Sequence, residues 1–341
     1  MSISSLPNSI NLIRYLLIWR VNHSLVRLPS SLPAELSLVL GKIIAERLPT
    51  HQARPWRKAL EPWDECDLFA LDRRRDKNDR TIIPEISWPI ENVLFVYPGK
   101  RTYGHGEFIF SELKLLGSSA DHNLFLEVIL PAIEEASLTS DSRWKRSNKL
   151  WGRFDIHSIH VARGVQWEPL TTDGRLDLNA QVTPSQWSEG LIFDIAPNRT
   201  FKSLKWITPF DLTLEDNRQA PNDRSHKPPM FAARPTLSDI FIALISRANS
   251  IISDKPTSYS SGWDLLSEEE QKAVREALAQ IRPMFTSDKN IKRAPKNVPG
   301  RLIGTQRFRT IPAALIPYLQ LASILHIGKY THFGCGTFSL S

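Results

Sequence analysis

The feature that most constrains this chain is the order of its periodicities. Segments 11–28, 92–97, 107–116 and 152–163 carry the residue types and alternation of half-buried strands. Between them, 34–48 and 124–136 place apolar residues at helical spacing. The order is strand, helix, strand, strand, helix, strand, which is the split βαβ, ferredoxin-like unit. Its four-stranded sheet is also the frame of the commonest single-strand RNA module. The order returns in the second half: strand at 200–214, helices at 237–252 and 267–281, strand at 301–309, helix at 312–327, then a Gly-punctuated turn and a last strand at 328–341. No letter-by-letter repeat accompanies it, so the duplication is architectural. The predicted fold class is α+β: tandem ferredoxin-like (RRM-like) βαββαβ domains with helical and loop insertions. The expected division is an N-terminal domain over 1–170, a linker and short excursion over 171–198, and a C-terminal domain over 199–341. Residues 49–85, with Pro49, Pro55, Pro62, Pro84, Trp56 and Trp63, read as a long, partly structured insertion in the first domain.

A length of 341 residues suits two such domains. A hydrophobic share of 41% excludes disorder as the main state. Cys66 and Cys335 cannot build a disulfide framework, and no CxxC spacing suggests zinc. The apolar run 12–21 is broken by Arg14 and Arg20, too short and too charged for a membrane span. It also lacks a secretory cleavage site. The expectation is a cytoplasmic protein with no membrane partner, no metal and no cofactor. The net charge of +7 favours polyanionic partners. Much of that charge is local. Lys289, Lys292, Arg293, Lys296, Arg301, Arg307 and Arg309 fall in one stretch that holds no acidic residue.

The sharpest local signal is the string 325–336, which includes Gly328-Lys329-Tyr330-Thr331-His332-Phe333-Gly334-Cys335-Gly336. Three of the chain's 15 glycines fall within nine positions. Glycine permits positive φ and close approach of another backbone. Lys329 adds a cation, and Tyr330 and Phe333 add faces for stacking. The spacing is neither a Walker A loop nor GxGxxG. On spacing alone, a tight helix-to-strand turn that needs small residues is favoured over a phosphate-binding loop.

That string resembles the C-terminal glycine-rich motif, roughly GxGKxTxFGxG, of the CRISPR-associated endoribonucleases that process precursor CRISPR RNA. These are members of the repeat-associated mysterious protein (RAMP) superfamily. His326 stands where the first motif glycine would be. The helix running into the motif, the Arg301-Leu302-Ile303-Gly304 strand and Thr208-Pro209-Phe210-Asp211-Leu212 are similar to family features around it. Tyr103-Gly104-His105-Gly106-Glu107-Phe108-Ile109-Phe110 resembles the family's N-terminal hairpin, and 62–71 a segment that carries more cysteines in some relatives.

The resemblance implies a metal-independent endoribonuclease that cuts precursor CRISPR RNA within the repeat by 2′-hydroxyl attack. Its partners would be repeat RNA, as precursor and mature guide, and other CRISPR-associated effector subunits. Gly328, Lys329, Tyr330, Thr331, Phe333, Gly334 and Gly336 would hold the RNA, in part through the backbone amides of 328–336. The cations Lys292, Arg293, Lys296, Arg301, Arg307 and Arg309 would grip phosphates. Such chemistry needs a base and an acid, and histidine titrates near working pH. Of nine histidines, His51 follows the first helix among Arg54, Arg57 and Lys58, where the family often places its catalytic histidine. His23, at the end of the first strand, and His332, inside the glycine loop, are the other candidates. Tyr15 or Tyr330 would support the site. His157 and His160, three apart in a strand, are expected to point to opposite faces rather than to pair on a metal. The alternative implied by the same resemblance is a non-catalytic RNA-binding RAMP subunit of a CRISPR ribonucleoprotein.

Overall fold

In the computed structural model, which describes residues 6–64, 88–139, 150–172, 174–191, 193, 200–212, 235–253, 262–280, 290–295 and 298–341, the first periodic segments close an antiparallel sheet. Its strands are β1 (Leu12–Val21), β3 (Asn92–Val96), β5 (Phe108–Leu116), β6 (Phe154–Arg163) and β7 (Gln166–Pro169). A small ribbon of β2 (Leu25–Arg27) with β4 (Thr102–Gly104) lies beside it, and β8 (Thr171–Thr172) pairs with β9 (Arg175–Leu176). The order β3-β5-β1-β6-β7 is the ferredoxin-like order with one added edge strand. Alternation sorts the faces. Tyr15, Leu17, Trp19 and Val21 are buried with the apolar residues of α1 (Leu32–Arg47) and α3, which runs as His122–Leu124, a π-helical turn Phe125–Ile129 and Leu130–Leu138.

Helix α1 is buried on nearly every side, because a second helix, α2 (Thr50–Asp64), covers its outer face. Gly41 and Leu60 meet where the helices cross, and the Trp88 indole donates to the Ser37 carbonyl at 2.7 Å. This is where the structure departs from the expected insertion. Prolines at 55 and 62 read as punctuation, yet the helix runs through both. Pro55 merely leaves the His51 carbonyl without its helical N–H, and burial of Ala53, Trp56 and Leu60 against α1 outweighs that loss. The expected insertion beyond residue 64 lies outside the described residues. Within 171–198, Trp187 is fully buried and donates to the Ile10 carbonyl at 3.0 Å, and Gln186 reaches the Ala162 carbonyl.

The second half repeats the plan with β10 (Ser203–Trp206), α4 (Leu237–Ser253), α5 (Glu268–Gln280), β11 (Ile291–Arg293), β12 (Leu302–Arg307), α6 (Ile316–Leu325) and β13 (Phe338–Leu340). The sheet order β11-β12-β10-β13 is again ferredoxin-like, so the tandem architecture holds. Sequence reading missed β11, whose three residues are too short and too basic to show alternation. The capping box at the start of α5 forms: the Glu270 amide donates to Ser267 Oγ at 3.3 Å and the Ser267 amide to Glu270 Oε2 at 2.9 Å. Among the described residues no helix is long and apolar enough to cross a membrane.

The second core is pinned by Trp206, whose ring stacks on Phe210 at 3.8 Å and meets Phe338 edge-on at 4.9 Å. Trp206→Ala is expected to lower stability by about 3–5 kcal/mol, read as a lower urea midpoint.

Candidate nucleic-acid interface

Helix α6 ends at a residue that ought to be glycine. His326 has φ 59° and ψ 139°, a region that side chains avoid. What holds it there is its own side chain. The Nδ1 atom lies 3.1 Å from the Gly334 carbonyl and 3.0 Å from the Cys335 carbonyl, so Nδ1 carries the proton and donates to both. The ring is buried, and burial with the Lys114 charge nearby holds it neutral, well below the usual histidine range. His326 thus staples the start of the glycine loop to its end.

Two of the loop glycines are required by neighbours within the protein. A Cβ at Gly336 (φ +83°) would lie 1.9 Å from the Ile327 carbonyl oxygen. One at Gly334 (φ +72°) would lie 2.6 Å from the Leu94 carbonyl of β3. The loop therefore docks on the first sheet. Phe333 completes the docking by burying its ring among Ala34 and Leu38 of α1 and Leu60 of α2, with Tyr330 packed against them. Lys114 of β5 donates through Nζ to the Ile324 carbonyl at 2.6 Å, at the C-terminal end of α6 where a cation is favoured.

The expectation that loop amides from 328 to 336 hold a ligand is narrowed by this geometry. The amides of Lys329, Phe333, Gly334, Cys335 and Gly336 donate to the carbonyls of Asp211, Tyr330, Thr331, Tyr330 and Pro209. Thr331, His332, Phe333, Gly334 and Gly336 are buried, while Gly328 is exposed and Lys329 and Tyr330 are half-buried. His332, a candidate for proton transfer, is 8% exposed, and burial pushes its imidazole down to about 3. Its Nε2 has no hydrogen-bond partner. A buried, neutral imidazole of this kind neither reaches substrate nor donates a proton near neutral pH, so His332 is better read as part of the docked face.

What the loop shows to solvent is flanked by cations. Arg301 is exposed, and its Nε lies 3.9 Å from Asp211, whose carbonyl takes the Lys329 amide. Register puts Lys292 opposite Ile303, Lys205 opposite Thr305 and Arg307 opposite Ser203, so these three exposed cations share one face of the second sheet. Lys205 was not singled out from the sequence; strand pairing alone joins it to the basic stretch. Arg293 and Arg309 are also exposed, and Lys289 and Lys296 lie outside the described residues.

His51 is exposed at the start of α2, and Arg54 and Lys58 follow it at helical spacing on one exposed stripe. Leu60, which touches Phe333 of the loop, lies on the opposite, buried face of the same helix. His51 itself stands about 13 Å from Leu60 along the helix axis. His23 is exposed beyond the end of β1, seven residues past Leu16, which lies in the Glu112–Phe95 row beside the docked loop. The distance is about 20 Å along the strand. Tyr15 is in the core on the helix side of β1, its hydroxyl 3.0 Å from His122 Nδ1 and its ring stacked on Phe125, so it does not support this surface.

Two outcomes follow from the loop. His326→Gly removes the backbone strain and the two carbonyl bonds, whereas His326→Ala removes the bonds and keeps the strain; the alanine variant should be the less stable by about 1–3 kcal/mol in urea unfolding. For His332, the unfolded chain takes up a proton near pH 6.5 that the folded chain refuses until about pH 3. Stability is therefore lost as pH falls through that window. His332→Gln should flatten the loss, measured as urea midpoints at about pH 7 and pH 5.

Residues 204–338 match the family model of the CRISPR-associated endoribonuclease Cas6. Among solved structures, a Cas6 product complex aligns at TM-score 0.43 and 14% identity, covering 97% of this chain and 100% of that one. Thermus thermophilus Cas6 aligns at TM-score 0.40 and 14% identity over 97% and 99%. A partial Cas6-RT-Cas1–Cas2 complex aligns at 0.46 and 10% identity, over 97% of this chain and 46% of that one. No curated protein matches the chain. The family match spans the second sheet, helix α6 and the glycine loop, and this part of the chain is what is similar to the CRISPR-associated endoribonuclease Cas6.

Proposed function

We propose that this chain binds precursor CRISPR RNA and cuts it within the repeat, with no metal required, by attack of a ribose 2′-hydroxyl on the adjacent phosphate. The 2′-oxygen–phosphorus bond forms, the bond to the 5′-oxygen breaks, and the products are a 2′,3′-cyclic phosphate and a 5′-hydroxyl end. A base takes the 2′-hydroxyl proton and an acid returns one to the leaving oxygen. Residues 1–170 and 199–341 act as the two domains, joined through 171–198. The repeat RNA is the partner, as precursor and product, and other CRISPR-associated subunits receive the guide.

One observation carries this reading. The exposed edge beside the glycine loop is cationic: Arg301 stands by Asp211, whose carbonyl takes the Lys329 amide, and Lys292, Lys205 and Arg307 share one face of the adjoining sheet. Cations so arranged suit a phosphodiester strand and a phosphorane carrying extra charge. His51 is the first choice for proton transfer, with His23 second.

A second reading has its own support. The exposed histidines stand about 13–20 Å from the docked loop, and the loop histidine is buried. Those facts suit a subunit that grips RNA without cutting it.

The deciding assay is cleavage of repeat RNA in EDTA, with a 2′-deoxy substitution before the scissile phosphate as the paired control. A single cut, blocked by the 2′-deoxy sugar and slowed about 10²–10⁴-fold by His51→Ala, is the expected result. Full activity in both His51→Ala and His23→Ala sinks the histidine assignment. Binding with no cut by the unmodified chain establishes the subunit reading.

A further inference from the structure

The first sheet has a second face, opposite α1 and α3, and only half of it is covered. Phe95, Glu112 and Lys114 are buried where α6 and the glycine loop dock. The other half is open. Among the described residues the three exposed aromatic side chains are all there: Tyr97 at 38%, Phe108 at 40% and Phe110 at 43% exposure.

Phe108 and Phe110 are two apart on β5, so they share the face, and their ring centroids are 6.5 Å apart. Ile18 lies opposite Phe110 and Arg20 opposite Phe108. Asp155 holds the Arg20 guanidinium at 3.2 Å. A bulge at Ile18/Trp19 shifts β6, and the His157 ring packs on Phe108 at 4.7 Å. His160, opposite Leu16, lies on the same face. Counting by twos put these histidines on opposite faces; the extra residue of the bulge turns one of them over. Further along, Arg14 stacks over the Trp167 ring at 5.1 Å.

We propose that this open half-face is a stacking platform for unpaired bases of the RNA strand, with Phe108 and Phe110 each taking one base. The proposal rests on the RNA-binding part of the reading above and not on cleavage. Three observations name the occupant. The exposed groups are rings interleaved with Arg20, His157 and His160, a composition that suits π-faces joined by phosphates. The 6.5 Å spacing of the phenylalanines suits successive bases spread apart along an extended strand rather than stacked on each other. The platform also lies on the same sheet face as the docked loop, with the buried Phe95 between them, 4.8 Å from Tyr97 and 5.6 Å from the buried His326.

The test uses the full chain and a short oligoadenylate carrying one 2-aminopurine, whose fluorescence is quenched by ring stacking. The unmodified chain should bind and quench. Phe108→Ala with Phe110→Ala should weaken binding about tenfold or more and abolish the quenching, while F108Y with F110Y should retain both. Because both rings are exposed, an unchanged melting temperature separates lost stacking from lost folding. Unchanged affinity in the double alanine variant overturns the platform and leaves a protein partner as the occupant. Absence of oligoadenylate binding by the unmodified chain overturns it as well. A chain that binds and quenches but never cuts repeat RNA sinks the cleavage reading alone. A chain that cuts repeat RNA normally in the double alanine variant, with unchanged oligoadenylate affinity, sinks the platform alone.

Discussion

The structure depends on one buried lysine. Lys114 sits on β5 of the first sheet, and its ammonium reaches the Ile324 carbonyl at the end of α6, in the other half of the chain. Burial pushes it down to about 8, while Glu112, 3.8 Å away, opposes that shift. Glu112 in turn accepts from Arg14 at 2.7 Å and from the Tyr97 hydroxyl at 3.1 Å. A buried charge survives only where such partners replace water. These partners come from three neighbouring strands and one helix end, so they fix the second half of the chain against the first. Helix α6 leads directly into the glycine loop, and the position of the loop follows.

Docking changes what the glycine motif means. A string of glycines beside a lysine reads as a cradle for phosphate, and much of it serves the fold instead. Yet Gly336 and Gly334 are small because the Ile327 and Leu94 carbonyls lie against them, and most of the loop amides bond within the protein. The tight turn is what the inner side of the loop forms, and its outer side leaves Gly328 exposed and Lys329 half-buried. His326 shows the same economy. Where a glycine would enter the turn without strain, this chain uses a histidine and offsets the strain with two bonds to loop carbonyls.

Rigid docking also divides the first sheet's outer face. The half beneath the loop is closed, and the half bearing Phe108 and Phe110 is open to solvent. The β6 bulge gathers His157 and His160 onto that same face. The protein thus has a cationic edge at the loop and an aromatic surface on the open half of the first sheet, with the buried Phe95 between them.

Periodicity in the sequence determined the element order, and with it both ferredoxin-like sheets, because period 2 and period 3.6 are local properties of the chain. The capping box at Ser267 and the glycine string were legible for the same reason. Elements whose stability is borrowed were not. Helix α2 persists through two prolines because α1 needs a cover, and β11 exists because β12 pairs with it. The candidate site divides likewise. Residue types and their local spacing pointed to Lys329 and Arg301, and the family resemblance to His51, whereas burial argues against His332, strand register added Lys205, and the core claimed Tyr15. Which face a side chain takes, and whether water reaches it, are set by contacts between residues far apart in sequence; only the tertiary structure decides them.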